Sequence, residues 1–241
     1  MHIVVTMAGA GSRFRARGFQ VPKHEIEVRG RSLFSWSMES LSNFFPVGKA
    51  TFVVRAEDRP EAFIRRELAR FGVHDPELLA LDRVTDGQAT TVLVALPGLR
   101  RRDAARPLLI YNIDTYVEPR ALHPRDVRGD GWIPCFPGRG DAWSFFRTDE
   151  HGRVIEAKEK IRISDHASIG LYYFESLDLY ENTYQSYYSS GLPAGLGERY
   201  IAPMYQHLVT QGRALWVHPV PADAVHPLGT PEEVEAYAHE A

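Results

Sequence analysis

The residues best suited to chemistry stand near the start of the chain, where glycines are followed by a hydroxyl and a cation. The stretch reads Ala8-Gly9-Ala10-Gly11-Ser12-Arg13-Phe14. Glycine permits positive φ angles and leaves neighbouring backbone N–H groups unshielded, so successive amides can form a concave anion site. The hydroxyl adds a donor, and a forked guanidinium matches phosphate oxygens. The loop indicates phosphate binding, with a glycine turn that binds nothing as the alternative.

Two familiar phosphate motifs do not match this loop. The dinucleotide-binding pattern needs a third glycine where Phe14 stands, and no acidic residue is well placed after a second strand. The P-loop needs Gly-Lys-Ser/Thr after four spacers, and that triplet is absent. A dinucleotide-dependent oxidoreductase is therefore disfavoured, and binding of a nicotinamide cofactor is the observation that would revive it.

A Pro22-Lys23 pair follows the loop, and the two features together resemble the N-terminal signature of sugar-phosphate nucleotidyltransferases. That family combines a small-Gly-x-Gly-Ser/Thr-Arg loop with a later Pro-Lys pair, followed by a short strand, a glycine turn and a helix. Here Ile26–Val28, Gly30 and Leu33–Leu41 supply the last three. The paired pattern is far more specific than either part.

Further stretches resemble the same family, so the likeness covers most of the chain. Leu109–Asp114 is similar to its strand that ends in a metal-binding Asp, and Glu159-Lys160 to its motif beside the acceptor phosphate. The remaining matches are the nucleobase-reading loop Gly87-Gln88-Ala89, the acceptor-lining strand Ser168–Phe174 and the C-terminal segment Leu228–Glu233.

The resemblance implies a reaction in which an acceptor phosphate attacks the α-phosphorus of a nucleoside triphosphate and pyrophosphate leaves. Arg13 and the loop amides would hold the β- and γ-phosphates, and Lys23 the α-phosphate. Asp114 would bind Mg²⁺, a hard cation that favours carboxylate and phosphate oxygens. Gln88 carries a donor and an acceptor, so it can pair with a base edge. Each of these residues also has a purely structural alternative. Lys23 could be a solvated loop lysine, Asp114 an Asp at a strand-end turn, and Gln88 a helix N-terminal residue.

On the acceptor side, the resemblance assigns the phosphate to Lys160 and places Glu159, Ser168 and Gly170 around the acceptor. An ion pair between Lys160 and Glu159 is the alternative for that pair. Many members have Asn where Ser168 stands, which points away from an ordinary hexose phosphate.

The C-terminal segment also departs from the family pattern. Pro227 occupies the position of a second metal-binding Asp and cannot ligate a metal through its side chain. Asp223 is a possible replacement, His226 a weaker one because imidazole is a poor Mg²⁺ ligand.

The leading hypothesis is nucleotidyl transfer to a phosphorylated small molecule, most simply a sugar 1-phosphate. One alternative is a cytidylyltransferase for a non-sugar phosphate or phosphonate, such as a phosphocholine-like acceptor. A second is a catalytically silent nucleotide-binding protein, which the loss of the second Asp favours. The first two predict pyrophosphate release, and the last predicts binding without it.

The elements that position these residues alternate between strands and helices in the first half. Apolar runs predict strands at Ile3–Met7, Thr51–Val54, Leu78–Leu81 and Leu108–Asn112. Helical spacing predicts helices at 32–45, Asp58–Phe71 and Ala89–Leu96, the last ended by Pro97-Gly98. This pattern indicates an α/β, Rossmann-like, mainly parallel sheet flanked by helices. Ligands bind at the carboxyl ends of such strands, so loops 8–13 and 113–115 should lie side by side.

The second half predicts a smaller acceptor-side region of mixed or antiparallel sheet. Its predicted strands are Trp143–Arg147, Val154–Lys158, Ile169–Phe174 and Ala214–Val220, with turns at 150–152 and 164–166. Tyr200–Gln211 and Pro231–His239 are predicted helices, the latter with a Thr230/Glu233 capping box. We expect a single nucleotidyltransferase domain over 1–241, with a nucleotide-binding half to about 130 and an acceptor-binding half from about 131.

Composition narrows the class of partner. The net charge is −3 and charged residues make up 24% of the chain, which gives no overall field for nucleic acid or an anionic membrane. The single cysteine, Cys135, excludes an intramolecular disulfide and is expected to be a small core residue. With no export signal or apolar run long enough to span a bilayer, we expect a cytoplasmic protein. Homo-oligomers are common in the family, but no surface stripe predicts an interface.

Overall fold

The computed structural model describes residues 1–240, and a ten-stranded mixed sheet forms its centre. The strands are β1 (His2–Thr6), β2 (Glu27–Val28), β3 (Arg31–Ser32), β4 (Lys49–Arg55), β5 (Glu77–Leu81), β6 (Leu108–Asn112), β7 (Thr115–Val117), β8 (Gly131–Pro137), β9 (Ser144–Thr148), β10 (Val154–Glu159), β11 (His166–Ser168), β12 (Tyr172–Phe174), β13 (Leu215–Pro219) and β14 (Val225–Pro227). The helices are α1 (Ser12–Ala16), α2 (Leu33–Glu39), α3 (Glu61–Ala69), α4 (Gln88–Asp103), α5 (Leu177–Tyr187), α6 (Ala202–Thr210) and α7 (Pro231–Ala238). The ladders β2–β3 and β7–β14 lie outside the central sheet.

β1 is the middle strand of the parallel part of the sheet. It pairs with β4 on one side and β6 on the other, and β5 follows β4 at the edge. His2–Val5 are buried, as expected for a strand covered on both faces. Side chains alternate between the faces, so Val4 packs in one core cluster while Ile3 and Val5 pack in the other.

The second half of the chain continues the same sheet with antiparallel strands. β12 lies between β6 and β8 and runs antiparallel to both, and β11, β9 and β10 follow outward. β13 pairs with β8 in parallel. α4, α5 and α6 pack on one face of the sheet, and α2 and α3 on the other. The predicted α/β class, with a mixed sheet flanked by helices, is confirmed.

The predicted end of the fourth helix was wrong. α4 continues through Pro97 to Asp103. Pro97 is exposed, whereas Leu96 and Leu99 on either side are buried against the sheet. The missing N–H of proline costs one helical hydrogen bond, and burial of these leucines outweighs that local signal.

The predicted strand Ile169–Phe174 begins too early, because only its second half, Tyr172–Phe174, is a strand. β11 ends at Ser168 and β12 begins at Tyr172, and Gly170 between them has a left-handed φ of 82°. The predicted turn at 164–166 ends one residue early, since His166 already belongs to β11.

Other predicted features were correct. Cys135 is buried on β8, and burial raises the pKa of its thiol. The capping box forms at α7, where the Thr230 side chain accepts from the Glu233 N–H and the Glu233 carboxylate accepts from the Thr230 N–H. Within residues 1–240, no helix combines the length and the apolar character that a bilayer crossing requires.

Candidate active site

The opening loop and the end of β6 meet at one edge of the sheet. β1 and β6 are in parallel register with Thr6 opposite Asn112, so the chain leaves both strands side by side. The predicted adjacency of loops 8–13 and 113–115 is therefore confirmed. Carboxyl ends of neighbouring parallel strands form the usual ligand-binding edge of such sheets.

The opening loop offers unused donors at this edge. Ala8 is buried, while Gly9 and Ala10 are exposed. Gly11 has a left-handed φ of 61° and precedes α1, which starts at Ser12. Among residues 1–240, no hydrogen bond is formed by the backbone N–H groups of residues 8–13. This loop can therefore donate several backbone hydrogen bonds to an anion.

Arg13 differs from the other two arginines of the opening segment. Arg15 pairs with Glu57 at 3.4 Å, and Arg17 pairs with Glu232 at 3.6 Å. The exposed guanidinium of Arg13 has no protein partner among the described residues. It is thus the arginine of this segment that is free to bind a phosphate.

Lys23 and Asp114, far apart in sequence, form an ion pair beneath the opening loop. Lys23 starts a 3-10 turn after Pro22, and its side chain is 13% exposed, whereas that of Asp114 is 50% exposed. A Cβ placed on Gly11 would lie 3.7 Å from the Lys23 Cβ, so the loop runs directly over the lysine. The structure thus brings together the glycine loop, Lys23 and Asp114, the three features that the family resemblance assigns to the triphosphate and its metal.

Asp114 is held by contacts from both halves of the chain. Its N–H donates to Asn112 Oδ1 at 3.2 Å, and its carbonyl accepts from the Leu228 N–H at 2.6 Å. Gly170, from the acceptor half of the chain, packs closely against the Asn112 side chain. A Cβ on Gly170 would lie 2.4 Å from Asn112 Nδ2. Glycine is needed at that position, and Asn112 joins the triphosphate end to the acceptor end.

Gln88 lies at the other side of the opening loop. It starts α4, and its Nε2 donates to Thr6 Oγ1 at 3.1 Å, which places the amide at the end of β1. Gly87 precedes it with a φ of 140°, and a Cβ there would lie 2.5 Å from the backbone of Arg199. Ala89 donates its N–H to the Arg199 carbonyl at 2.9 Å. The 87–89 loop is thus fixed against a segment from the second half.

The acceptor end centres on the end of β10. Glu159 accepts a hydrogen bond from Ser144 Oγ, and burial raises the pKa of its carboxyl. Lys160 is exposed and donates from Nζ to the Tyr200 hydroxyl at 2.8 Å, a bond that raises the pKa of the lysine. No ion pair joins Glu159 to Lys160 among the residues described: Glu159 bonds Ser144, and Lys160, which follows β10 with a left-handed backbone, bonds Tyr200 instead.

Ser168 is buried near the acceptor end rather than exposed in the cleft. It is 3% exposed, and its hydroxyl accepts from the Gly170 N–H at 3.0 Å. The hydroxyl therefore stabilises the turn that brings Gly170 to Asn112.

Asp223 is not brought to Asp114. The β7–β14 ladder pairs Thr115 with Pro227 at one end, next to Asp114, and Asp223 lies beyond its other end, where it pairs with Arg120 at 3.3 Å. His226 stacks on Tyr116 and bonds Glu240 at 2.7 Å. Within residues 1–240, no cluster of three or more His, Cys, Asp or Glu side chains is placed to hold a metal ion.

No sequence motif includes Arg199 or Tyr200, although both contact predicted site residues. Arg199 holds the 87–89 loop through its backbone, and Tyr200 holds Lys160 through its hydroxyl. No local pattern marks them, since their partners are more than a hundred and about forty residues away, respectively. Only the tertiary structure reveals these contacts.

Comparison with solved structures agrees with this geometry. The chain is similar to a nucleoside-diphosphate-sugar pyrophosphorylase from Vibrio cholerae RC9, with 31% identity, a TM-score of 0.89, and coverage of 99% of this chain and 100% of that one. It shares its fold with an inositol-1-phosphate CTP transferase from T. maritima, at 16% identity and a TM-score of 0.75 over 100% of this chain and 96% of that one.

A candidate glucose-1-phosphate thymidylyltransferase from Bacillus anthracis, in complex with a sucrose, also has this fold. It is 14% identical, with a TM-score of 0.75 and coverage of 100% of this chain and 96% of that one. No protein-family model matches the chain, and neither does any curated protein. The full-length likeness at 31% identity, together with the Lys23–Asp114 pair beneath a glycine loop, shows that this chain belongs to the sugar-phosphate nucleotidyltransferases.

Proposed function

We propose that this enzyme transfers a nucleoside monophosphate from a nucleoside triphosphate to a phosphorylated small molecule, a sugar 1-phosphate, and releases pyrophosphate. The observation that carries the proposal is the convergence of Lys23, Asp114 and the unpaired loop amides at the ends of β1 and β6. Because the reaction consumes nucleoside triphosphates, we place it in the cytoplasm. Nucleic acid and membrane have no part in this reaction.

The triphosphate end supplies positive charge without a protein nucleophile. An acceptor phosphate oxygen forms a bond to the α-phosphorus as the bond to the β-phosphate oxygen breaks, and pyrophosphate carries away the electron pair. The protein contributes positioning and neutralisation of charge. In this proposal Arg13 and the amides of residues 8–13 bind the β- and γ-phosphates, and Lys23 binds the α-phosphate.

Lys23 must exchange partners when the nucleotide binds. In the structure its ammonium is neutralised by Asp114. Phosphate oxygens compete for this cation, and the half-exposed carboxylate of Asp114 is then available for a metal ion. Until the substrate binds, the pair leaves neither charge without a partner, which matters for Lys23 because an unpaired, largely buried charge is destabilising.

Mg²⁺ is the metal that family membership implies, and the residues present suit it. Mg²⁺ is usually bound by one or two carboxylates together with water and substrate phosphates, so a single half-exposed Asp114 is a sufficient protein contribution. When bound, the ion would neutralise phosphate charge and orient the triphosphate. Asp223 contributes only if its pairing with Arg120 is broken.

The acceptor end supplies one cation and one partly buried carboxyl. Lys160 would bind the acceptor phosphate. Burial raises the pKa of Glu159, and its carboxyl can bind hydroxyl groups of a sugar in either protonation state. Gln88, next to the end of β1, would bind the base edge.

A screen for pyrophosphate release tests the proposal. Each of the four common nucleoside triphosphates is incubated with Mg²⁺ and a panel of sugar 1-phosphates, together with phosphocholine and a phosphonate as non-sugar acceptors. We expect pyrophosphate with at least one sugar 1-phosphate. Turnover confined to a non-sugar acceptor would replace the sugar assignment by the cytidylyltransferase alternative, and nucleotide binding without turnover would identify a silent protein.

A further inference from the structure

Tyr200 contacts the lysine that the proposed function assigns to the acceptor phosphate, yet it lies outside every motif of the sequence. Lys160 Nζ donates to the Tyr200 hydroxyl at 2.8 Å, and this is the hydrogen bond that the lysine ammonium makes within residues 1–240. A lysine has four rotatable bonds, so an unanchored ammonium samples a wide volume. A fixed hydroxyl restricts it to one part of the cleft.

The backbone of Lys160 already directs its side chain out of the strand. It has a left-handed φ of 54°, which is uncommon for a residue with a Cβ. Its N–H donates to the Trp143 carbonyl at 2.9 Å, so the turn is held by the neighbouring strand connection. The strained conformation is maintained at the residue whose side chain reaches Tyr200.

Tyr200 is itself held firmly. Its carbonyl accepts from the Tyr188 hydroxyl at 2.7 Å. The preceding residue, Arg199, exchanges backbone hydrogen bonds with the nucleobase loop: its N–H donates to the Asp86 carbonyl at 2.8 Å, and its carbonyl accepts from the Ala89 N–H at 2.9 Å. The backbone that carries the Tyr200 side chain is therefore attached to the nucleotide side of the cleft.

The Arg199 side chain reinforces the same attachment. Its Nε lies 3.1 Å from Asp86 Oδ2, and its Nη1 donates to the Tyr184 hydroxyl at 2.5 Å. The absence of a Cβ on Gly87 lets the two backbones approach this closely. The segment 199–200 thus connects the nucleobase loop on one side to the acceptor lysine on the other.

We propose that Tyr200 is a positioning residue: its backbone is attached through Arg199 to the nucleobase loop, and its hydroxyl holds the Lys160 ammonium where the acceptor phosphate binds beside the nucleotide. This inference rests on the proposed function for what Lys160 binds, but not for how Lys160 is held. Tyr200 touches no reacting atom and acts through the lysine.

Kinetics of Tyr200→Phe test the proposal, with Tyr187→Phe as the matched control because no hydrogen bond of the Tyr187 hydroxyl is found among residues 1–240. We expect Tyr200→Phe to raise the KM for the sugar 1-phosphate about tenfold, the range for a lost hydrogen bond to a charged group, and to leave the KM for the nucleotide unchanged. In a Lys160→Met background it should add nothing. An equal rise in both KM values, or an effect that persists without Lys160, overturns the proposal.

A second readout separates this inference from the reaction itself. Acetylation of Lys160 by limiting acetic anhydride, followed by mass spectrometry with Lys49 as internal reference, needs no turnover. Tyr200→Phe should accelerate Lys160 labelling severalfold, because loss of the bond frees the amine and removes a cause of its raised pKa. Unchanged labelling overturns the positioning role, whereas accelerated labelling in a protein that releases no pyrophosphate supports it and refutes only the reaction.

Discussion

The triphosphate end of the cleft takes its groups from one continuous segment and one strand end, whereas the acceptor end takes them from segments spread between residues 144 and 200. Residues 8–23 supply the loop, Arg13 and Lys23, and β6 delivers Asp114. The acceptor end joins Ser144, Glu159, Lys160 and Tyr200. The first depends on local backbone geometry, and the second on tertiary packing.

This difference explains why one end was easier to predict than the other. Glycines before a short helix and a Pro-Lys pair are local signals, so the sequence shows the triphosphate loop directly. Tyr200 has no such signal, because its role depends on the path of Arg199 beside Asp86. Ser168 stands at a position that the family resemblance assigns to the acceptor site, but in the structure its hydroxyl accepts a hydrogen bond from the Gly170 N–H.

The largest effect is expected at the triphosphate end. Lys23→Ala should lower kcat by about 10²- to 10³-fold, since it removes a cation from the phosphate that changes bonding. Steady-state pyrophosphate release measures this effect, and circular dichroism checks the fold. Lys49→Ala is the control. Lys49 is exposed and begins β4, at the edge of the sheet opposite the site, so this variant should behave like wild type. Equal losses in both variants would show that charge alone, not position, is responsible.

Acid pH should destabilise the folded protein through a buried histidine at the triphosphate end. His24 follows Lys23, is 4% exposed and packs against Phe63, and burial lowers its pKa to about 4, with Asp58 opposing the shift. The unfolded chain takes up this proton near pH 6.5 and the folded one only near 4, so the free energy of unfolding should fall across that window. This lowering of the His24 pKa corresponds to a loss of about 3 kcal/mol in the free energy of unfolding at acid pH.

Urea unfolding of the wild type and of His24→Gln at several pH values measures this linkage. The variant should lose most of the slope between pH 6.5 and 4, and His151→Gln, at an exposed histidine, should keep it. Glu159 at the acceptor end responds in the opposite sense: its pKa is raised by burial, so protonation favours the folded state. A slope that survives in His24→Gln would assign the acid sensitivity elsewhere.

Asp114→Asn should alter the metal requirement more than the nucleotide affinity. We expect the Mg²⁺ concentration for half-maximal turnover to rise by at least about 10- to 100-fold, because that is the loss typical of outer-shell partners and Asp114 is proposed to contact the metal directly. A Mg²⁺ titration of turnover measures it, and chelation by EDTA should abolish wild-type activity. Asp223→Asn is the matched comparison, and a shift as large as that of Asp114→Asn would return Asp223 to the metal site.

A smaller and more selective effect is expected at the acceptor end. Lys160→Ala should raise the KM for the sugar 1-phosphate about tenfold while the KM for the nucleotide stays constant. Lys158→Ala, two residues earlier on β10, is the control, since Lys158 pairs only loosely with Glu156 at 3.9 Å. A change in the nucleotide KM would mean that the two ends are not separate binding regions.

The fold shows the same contrast: its parallel half could be predicted from the sequence, and much of its antiparallel half could not. Continuous apolar runs identified β1, β4 and β6, which are largely buried on both faces, and also β5, a partly exposed edge strand. The antiparallel half was less accessible: β8, the helix α5 and the β7–β14 ladder were not predicted. Pro97 gave a local stop signal that burial of Leu96 and Leu99 overrides.

The placement of Asp223 shows the same limit at the site. In sequence it stands four residues from Pro227, close enough to suggest a substitute ligand. In three dimensions the β7–β14 ladder separates it from Asp114, because an extended strand advances about 3.3 Å per residue. Sequence proximity to a motif therefore did not translate into proximity to the metal-binding carboxylate.

Pyrophosphate release by Arg13→Ala and Arg17→Ala, measured side by side, tests the central claim most directly. Both arginines lie in the opening segment, but Arg17 pairs with Glu232 while Arg13 has no partner within residues 1–240. We predict that Arg13→Ala loses about 10²-fold or more of the turnover and Arg17→Ala keeps it. Near-normal turnover of Arg13→Ala would contradict the assignment of this loop to the triphosphate.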